Sequence, residues 1–274
     1  MPQKNYAGRD SMVPCIQARD ITLTFKPKNR DPVAALKSLT LDVSQGEFLS
    51  IVGPSGCGKS TFLNILLGLI KPDTGEMRLN GKQITGPGQE RAMVFQEFGL
   101  LPWRTVLANI ELGLELKGIQ PSVRRERGME LIKMAGLIGF ENHYPHELSG
   151  GMKQRVGLAR ALATDPEVLL MDEPFASLDA QTRDLMQAEL LQIWDRAKKT
   201  VIFVTHSIEE AAYLSDRVIV ISARPGRTKD IIKIHLPRPR DYEMRLSPEF
   251  NEIKAGIWST LKEELITKRA GDGV

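Results

Sequence analysis

The chain has 274 residues, of which 42 % are hydrophobic and 26 % charged, and this composition is that of a globular protein rather than a disordered, collagen-like or coiled-coil chain. Its 37 lysines and arginines nearly balance 34 aspartates and glutamates, so the net charge of +3 does not indicate a nucleic-acid partner. No apolar run approaches the roughly 18 residues of a membrane span, and the polar N-terminus does not have the pattern of a secretory signal. Two cysteines, Cys15 and Cys57, are too few for a disulfide framework, and we therefore expect a reducing, cytosolic compartment.

The first part of the chain is strand-rich. Apolar residues alternate along residues 14–25 and 39–43, which predicts two strands. A buried strand is predicted over residues 47–52, and a glycine-rich loop follows it and leads into a helix over residues 60–69.

The middle of the chain is helical, and strands return after it. Helices are predicted over residues 106–117, 122–135 and 154–163, and we interpret residues 97–165 as a helical subdomain inserted into a sheet domain. Very apolar strands are then predicted at residues 168–171, 200–205 and 217–222, separated by helices over 180–197 and 208–214. Apolar strands that alternate with helices are typical of a parallel sheet covered on both faces, so the sequence predicts an α/β fold.

The loop after the third strand matches the phosphate-binding pattern G-x-x-x-x-G-K-[ST], with the required strand before it and helix after it. Its glycines allow successive backbone N–H groups to face phosphate oxygens, and the helix N-terminus adds a positive dipole. Lys59 can reach the outer phosphates and the Ser60 hydroxyl can ligate Mg²⁺, whereas a functionless glycine-rich turn is the disfavoured alternative. The candidate binding residues of this loop are Gly53, Pro54, Ser55, Gly56, Cys57, Gly58, Lys59, Ser60 and Thr61.

Two acids, Asp172 and Glu173, end the apolar strand over residues 168–171. Ligands of parallel sheets bind at the carboxyl ends of the strands. We expect Asp172 to hold Mg²⁺ and Glu173 to orient or deprotonate an attacking water. A pair of helix-capping residues is the alternative, and the phosphate loop makes it the weaker one.

A second candidate phosphate site is the sequence LSGGM, residues 148–152, which precedes an amphipathic helix. Ser149 is suited to cap that helix, while Gly150 and Gly151 permit a ligand to approach the backbone closely. A simple nucleotide kinase has no use for a second site of this kind, and LSGGM therefore disfavours that function.

With these motifs in view, the chain resembles the ATP-binding subunits of ATP-binding cassette (ABC) transporters. LSGGM is similar to the family signature, GPSGCGKST to the Walker A motif, and VLLMDE, residues 168–173, to the Walker B motif. Gln96, the segment ASLD that ends at Asp179, and His206 are similar to the Q-loop, the D-loop and the switch histidine. The resemblance covers about residues 14–225, with all motifs in the family's order.

The resemblance implies a P-loop NTPase ABC cassette over residues 14–248: a RecA-like, mostly parallel sheet core with an inserted helical subdomain and an antiparallel β edge. An amphipathic C-terminal helix and tail would follow over residues 249–274. The implied cofactors are ATP and Mg²⁺, and the implied assembly is a head-to-tail homodimer with two shared ATP sites. Transmembrane permease subunits and, through them, a solute-binding protein are the other expected partners, which places the subunit at the cytoplasmic face of the inner membrane.

The resemblance also implies roles for individual residues. Gln96 would sense the γ-phosphate or Mg²⁺ and contact the membrane subunit, and His206 would contact the γ-phosphate. Phe25 would stack on adenine, and Asp179 would belong to the nucleotide site. For Phe25 a core position at the end of its strand, and for His206 a structural role, remain alternatives.

Three stretches, residues 99–109, 143–148 and 222–227, are similar to importers of nitrate, sulfonates and taurine, and we therefore expect uptake of a small anionic solute. A subunit of an exporter or lipid-handling complex is one alternative, and a soluble ABC ATPase of translation or DNA repair is another. Trp103 could face the membrane partner or belong to the subdomain core. Apolar residues at helical spacing over residues 249–268 predict a helix docked on its own domain, in preference to a membrane-surface helix.

Overall fold

The computed structural model describes residues 14–28, 30–95, 99–176 and 178–271. The strands are β1 (Ile16–Phe25), β2 (Val33–Val43), β3 (Phe48–Val52), β4 (Thr74–Leu79), β5 (Lys82–Gln83), β6 (Arg91–Val94), β7 (Val168–Asp172), β8 (Thr200–Val204), β9 (Arg217–Ile221) and β10 (Thr228–Lys233). The α helices are α1 (Lys59–Leu67), α2 (Val106–Leu116), α3 (Pro121–Met134), α4 (Gly150–Ala163), α5 (Ala180–Ala197), α6 (Ile208–Leu214) and α7 (Pro248–Gly271).

The main sheet has the strand order β10-β9-β3-β8-β7-β6, in which β10 alone is antiparallel to its neighbour. Every residue of β3 and β8 is buried, because both faces of the sheet are covered. Phe48 and Val52 of β3 belong to one core cluster, while Leu49 and Ile51 belong to the cluster on the opposite face. The prediction of an α/β fold with a mostly parallel sheet is confirmed.

The carboxyl ends of β3, β8 and β7 lie side by side, and this arrangement positions the candidate site. Ile51 of β3 pairs with Val204 of β8, and Val204 pairs in turn with Asp172 of β7. The phosphate loop, His206 and the Asp172–Glu173 pair follow or end these strands. Motifs that are far apart in the chain therefore meet at the carboxyl ends of the central strands of the main sheet.

The second sheet is antiparallel, with the strand order β2-β1-β4-β5. It supplies the antiparallel β edge that the resemblance implies. Strand β2 begins at Val33, earlier than the predicted strand over residues 39–43, and there it pairs with Phe25 at the end of β1. Strand β4 carried no clear sequence signal because only Met77 and Leu79 of its side chains are buried.

Helices α2, α3 and α4 pack against one another between β6 and β7 and form the helical subdomain. Helix α4 begins at Gly150, four residues before the predicted start, because Ser149 caps it. Its apolar face and those of α2 and α3 belong to the larger of the two core clusters. The subdomain is thus packed onto the sheet domain through a continuous apolar core.

Helix α7 packs against α6, β9 and β10. Phe250, Ile257 and Leu261 are buried there, and Ile253 and Leu265 pack against the same cluster. The helix is therefore docked on its own domain. Among the helices that the structure describes, none is both long and apolar enough to cross a membrane.

Candidate active site

The phosphate loop joins β3 to α1, and its conformation depends on glycine. Gly56 and Gly58 have φ angles of +77° and +103°, which residues with a side chain rarely adopt. A Cβ atom at position 58 would lie 2.7 Å from Leu36 Cδ2 and 2.8 Å from the Ala35 carbonyl oxygen. Glycine at this position thus lets the loop approach β2 closely.

The N-terminus of α1 is open to a ligand. Its cap residue is Gly58, and no side chain accepts a hydrogen bond from the first turn. The N–H groups of that turn therefore remain available for anionic oxygens. Lys59 is buried, and its Nζ donates to the carbonyl oxygens of Gly53 at 2.8 Å and Pro54 at 3.1 Å.

A pocket of about 240 Å³ opens over this loop. The predicted site residues that line it are Phe25, Ser55, Gly56, Gly58, Lys59, Ser60, Thr61 and Glu173. Sequence reasoning missed three further lining residues, Val33, Ala35 and Arg224. Gly53, Pro54 and Cys57 are buried and do not line this pocket.

Phe25 lies at the edge of the pocket and is 43 % exposed. An aromatic ring that only closed its strand against the core would be largely buried. Phe25 is therefore accessible to a planar group in the pocket, and the core alternative for this residue is disfavoured.

Asp172 and Ser60 lie together at the carboxyl end of β7. The Ser60 hydroxyl donates a hydrogen bond to the Asp172 carboxylate. Burial raises the pKa of Asp172 above its ordinary value, and the bond from Ser60 and the charge of Lys59 offset only part of this rise. A cation beside these two oxygen donors would favour the ionised carboxylate.

Glu173 and His206 form a close pair. Glu173 has a φ of +46°, an uncommon conformation for a residue other than glycine, and its N–H donates to the Val204 carbonyl at 2.9 Å. Its Oε2 lies 2.8 Å from His206 Nδ1. The pair joins the segment after β7 to the segment after β8, so an acid and an imidazole meet beside the phosphate loop.

A buried network behind His206 holds its segment in place. Thr205 Oγ1 donates to Glu210 Oε2 at 2.5 Å and accepts from the Ser207 N–H at 3.0 Å. Gln187 of α5 also donates to Glu210, at 3.3 Å. Burial raises the pKa of Glu210. This network was not predicted from the sequence, because a glutamate in a short helix usually indicates the solvent-facing side of that helix.

The signature residues do not line the pocket of their own chain. Ser149 caps α4 by accepting from the Met152 N–H at 3.3 Å. A Cβ atom on Gly151 would lie 2.8 Å from Thr182 Cγ2, whereas one on Gly150 would be 3.4 Å from its nearest neighbour, Leu178 Cδ2. Gly151 is thus packed against α5, while Gly150 is the more open position.

Asp179 is likewise outside the pocket of its own chain. It caps α5, and the N–H and hydroxyl of Thr182 hold the pKa of Asp179 below its usual range. Gln96, the predicted sensor residue, lies outside the described residues. No cluster of three or more His, Cys, Asp or Glu side chains suited to a metal occurs in the part of the chain that the structure describes.

Comparison with known proteins identifies the family. The ABC transporter family model matches residues 36–176. An uncharacterized ABC transporter ATP-binding protein from Methanocaldococcus jannaschii is 54 % identical, over 94 % of this chain and 95 % of the relative. A nitrate import ATP-binding protein from Synechocystis is 43 % identical (90 % and 95 % covered), and a taurine import ATP-binding protein from Roseobacter denitrificans is 44 % identical (92 % and 96 % covered).

A solved structure has the same architecture. The ATP-binding cassette MJ0796, a dimer in a post-hydrolysis state bound to ADP and Pi, is 36 % identical and has a TM-score of 0.70. The match covers 81 % of this chain and 100 % of that chain. The present chain therefore belongs to the ABC transporter family, as an ATP-binding subunit that hydrolyses ATP.

Proposed function

We propose that this subunit uses Mg-ATP binding and hydrolysis to power the uptake of a small anionic solute through transmembrane permease subunits. The observation that carries the proposal is the meeting of the phosphate loop, Asp172 and the Glu173–His206 pair at one edge of the main sheet. Similarity to nitrate and taurine import proteins supports import and the solute class.

Different parts of the site bind the adenine and the phosphates of the nucleotide. Phe25 stacks on the adenine, an interaction worth about 1–3 kcal/mol for bases on aromatic side chains. Backbone N–H groups of Ser55, Gly56 and Gly58, which line the pocket, and the ammonium of Lys59 bind the phosphates. Lys59 exchanges the neutral carbonyls of Gly53 and Pro54 for charged phosphate oxygens, which are the stronger acceptors.

The donor set beside the loop fits Mg²⁺. Mg²⁺ prefers hard oxygen ligands and usually takes one or two carboxylates together with substrate phosphates, which agrees with a site that includes the Ser60 hydroxyl and the Asp172 carboxylate. Gln96 is the predicted further ligand. When bound, Mg²⁺ neutralises charge on the transferred phosphoryl group.

Glu173 orients or deprotonates the water that attacks the γ-phosphate, and His206 contacts that phosphate. Their separation of 2.8 Å supports this division of roles, because both side chains reach the same point beside the pocket. General-base assistance of this kind is worth about 10²–10⁴-fold in rate.

The site is completed by a second copy of the chain in a head-to-tail dimer. Ser149, Gly150 and Gly151 form a second helix start suited to phosphate, and they do not line the pocket of their own chain. The dimeric MJ0796 structure supports this assembly. Asp179, at the start of α5 beside the signature helix, joins the shared site from the same side.

The loop around Trp103 contacts the permease. Trp103 is 70 % exposed. Asn109, which is fully buried, holds this loop by accepting from the Leu101 N–H at 2.8 Å and donating to the Arg104 carbonyl at 2.9 Å. A large aromatic side chain on a rigid loop is suited to anchor a partner protein.

The subunit works at the cytoplasmic face of the inner membrane, and a solute-binding protein delivers the solute to the permease. The test is uptake of labelled nitrate, taurine and an alkyl sulfonate into proteoliposomes that contain the whole complex. ATP is enclosed in the vesicle lumen, on the side of the membrane that this subunit faces. We expect ATP-dependent uptake that requires the solute-binding protein. Export driven by ATP, or the same uptake with the Lys59→Ala subunit, would contradict the proposal.

A further inference from the structure

Arg224 lies in the loop between β9 and β10, within the stretch of residues 222–227, and none of the site roles described above is assigned to it. Among the described residues, it and Lys59 are the cations that line the nucleotide pocket. Its Nε donates to the Gly56 carbonyl at 3.1 Å, and a Cβ atom on Gly56 would lie 3.0 Å from its Nη2. The guanidinium is therefore in contact with the phosphate loop.

Most of the donors of Arg224 are available. No carboxylate forms an ion pair with Arg224 within residues 14–271 as far as the structure describes them, and its single hydrogen bond there uses Nε. Arg217, Arg238 and Arg245 of the same half of the chain all pair with carboxylates. A guanidinium presents donors in a planar fork that matches phosphate oxygens, so the Nη groups of Arg224 are suited to an anionic ligand.

The backbone of the Arg224 loop is fixed against β2. The Gly226 N–H donates to the Ala35 carbonyl at 2.9 Å, and the Gly226 carbonyl accepts from the Lys37 N–H at 3.0 Å. A Cβ atom at position 226 would lie 2.1 Å from the Cys57 carbonyl oxygen, so this loop packs directly on the phosphate loop.

A carboxylate of α7 fixes the residue beside Arg224. Glu264 is only 8 % exposed, and its Oε2 accepts from the Ala223 N–H at 2.8 Å. Its Oε1 pairs with Lys229 Nζ of β10 at 3.3 Å. The C-terminal helix is thus connected to the nucleotide pocket through one buried side chain.

We propose that Arg224 binds the phosphate chain of the nucleotide held by its own chain, and that Glu264 is a positioning residue that keeps the Arg224 loop at the pocket. The inference rests on the proposed nucleotide site. It adds a second cation to the phosphates and makes α7 part of the machinery that binds nucleotide.

The first experiment measures binding of Mg-ADP, which avoids turnover, to the full chain by calorimetry. Arg224→Gln removes the charge, and we expect its affinity to fall about 10-fold, because charge-assisted hydrogen bonds are lost. Its affinity should also depend less steeply on salt than that of the wild type. Arg224→Lys keeps the charge but loses the planar fork of donors. We expect its affinity for Mg-ADP to lie between those of the wild type and Arg224→Gln.

Arg227→Gln is the matched control, because it removes the same charge from the same loop at an exposed position that does not line the pocket. Wild-type affinity in Arg224→Gln, or an equal loss in both variants, would overturn the role of Arg224. Lys59→Ala separates this inference from the proposed site. If Lys59→Ala weakens binding and Arg224→Gln does not, only the inference fails; if neither weakens it, the pocket itself is not the site.

The second experiment tests Glu264 with a double-mutant cycle. Glu264→Ala should weaken Mg-ADP binding about threefold in the wild-type background and have no further effect on Arg224→Gln, because it acts through that residue. Glu264→Gln keeps an acceptor for the Ala223 N–H and should restore binding. Equal effects of Glu264→Ala in both backgrounds would assign Glu264 to general stability and overturn its positioning role.

Discussion

At the scale of single residues, one uncommon backbone conformation lies at the pocket over the phosphate loop. Of the non-glycine residues with positive φ that the structure describes, Glu173 is the one that lines the nucleotide pocket. Such conformations cost about 1–3 kcal/mol and persist where the surroundings fix them. Here the hydrogen bond from the Glu173 N–H to the Val204 carbonyl fixes the backbone.

Glu173→Gln keeps the shape of the side chain and removes its basicity. We expect this variant to bind ATP normally and to hydrolyse it about 10²-fold or more slowly, because the attacking water loses its general base. Turnover and nucleotide binding are measured separately, and trapped ATP should accumulate a dimer on size-exclusion chromatography. Glu252→Gln, on the exposed face of α7, is the control. Normal hydrolysis or loss of ATP binding in Glu173→Gln would count against the role of this residue.

Residues were predictable from the sequence where several of them form a pattern with a chemical meaning. The residues of the phosphate loop are adjacent in the sequence, and so are Asp172 and Glu173. Each of these two motifs follows or ends a strongly apolar strand. Arg224 and Glu210 belong to no such pattern. Their surroundings are set by long-range packing, of Arg224 against Gly56 and of Glu210 against Thr205, and the sequence does not carry that information locally.

At the scale of elements, the buried parallel strands were predicted and the polar edge strands were not. Strands β7 and β8 are continuous apolar runs because both faces of the main sheet are covered. Strand β10 has the sequence TKDIIK and is mostly exposed, so its alternation is obscured. Helix α6 shows a related effect, since a glutamate that appears solvent-facing in the sequence is buried in the structure.

The burial of Glu210 predicts how the free energy of unfolding depends on pH. Burial raises its pKa above 4.5, and the hydrogen bond from Thr205 and the charges of Arg183 and His206 offset this only in part. The folded chain then keeps a proton that the unfolded chain has released, so Glu210 contributes less stability as the pH rises from about 4.5 through its folded-state pKa. Glu210→Gln cannot ionise. Its free energy of unfolding, relative to wild type, should therefore increase across that interval.

Urea denaturation at several pH values between 4.5 and 7 measures this difference. Glu249→Gln, which changes an exposed glutamate of α7, is the control. Its free energy of unfolding relative to wild type should not increase over this pH range as that of Glu210→Gln does. Parallel pH profiles for wild type and Glu210→Gln would show that Glu210 titrates equally in the folded and unfolded chains.

At the scale of the whole molecule, the separation of the signature from the pocket within one chain leads to a complementation test. Lys59→Ala and Gly150→Asp should each be inactive, the second because it places a negative charge where the proposed dimer would place a γ-phosphate. Position 150 is preferable to 151, since a side chain at Gly151 would collide with Thr182. In a mixed dimer with shared sites, one site carries both lesions and the other carries neither.

The mixture should therefore trap ATP at about one site per heterodimer, which is measured by filter retention of labelled nucleotide after the heterodimer is purified on two tags. Each homodimer provides the baseline. Retention in the heterodimer no greater than this baseline would mean that each chain builds its site from its own motifs, and the head-to-tail dimer would be wrong.

The exposed loop at Trp103 makes a separate prediction about the permease. Trp103→Ala should leave the ATPase activity of the isolated chain unchanged and weaken its association with the permease by roughly 30-fold, the effect of losing a buried aromatic anchor worth about 2 kcal/mol. Trp258→Ala is the control, because Trp258 is also exposed but belongs to α7. Association is measured by pull-down with the detergent-solubilised permease, and equal behaviour of the two variants would place the contact elsewhere.

The strand order of the main sheet has a consequence for biosynthesis. Strands β3 and β7, which carry the phosphate loop and the Asp172–Glu173 pair, do not pair with each other, because β8 lies between them. A nascent chain that ends before residue 200 therefore lacks the strand that brings the two together. The ribosome must complete about three quarters of this chain before the ATP site can assemble. Until then, the unpaired edges of the apolar strands β3 and β7 are exposed to chaperones and to other unfinished chains.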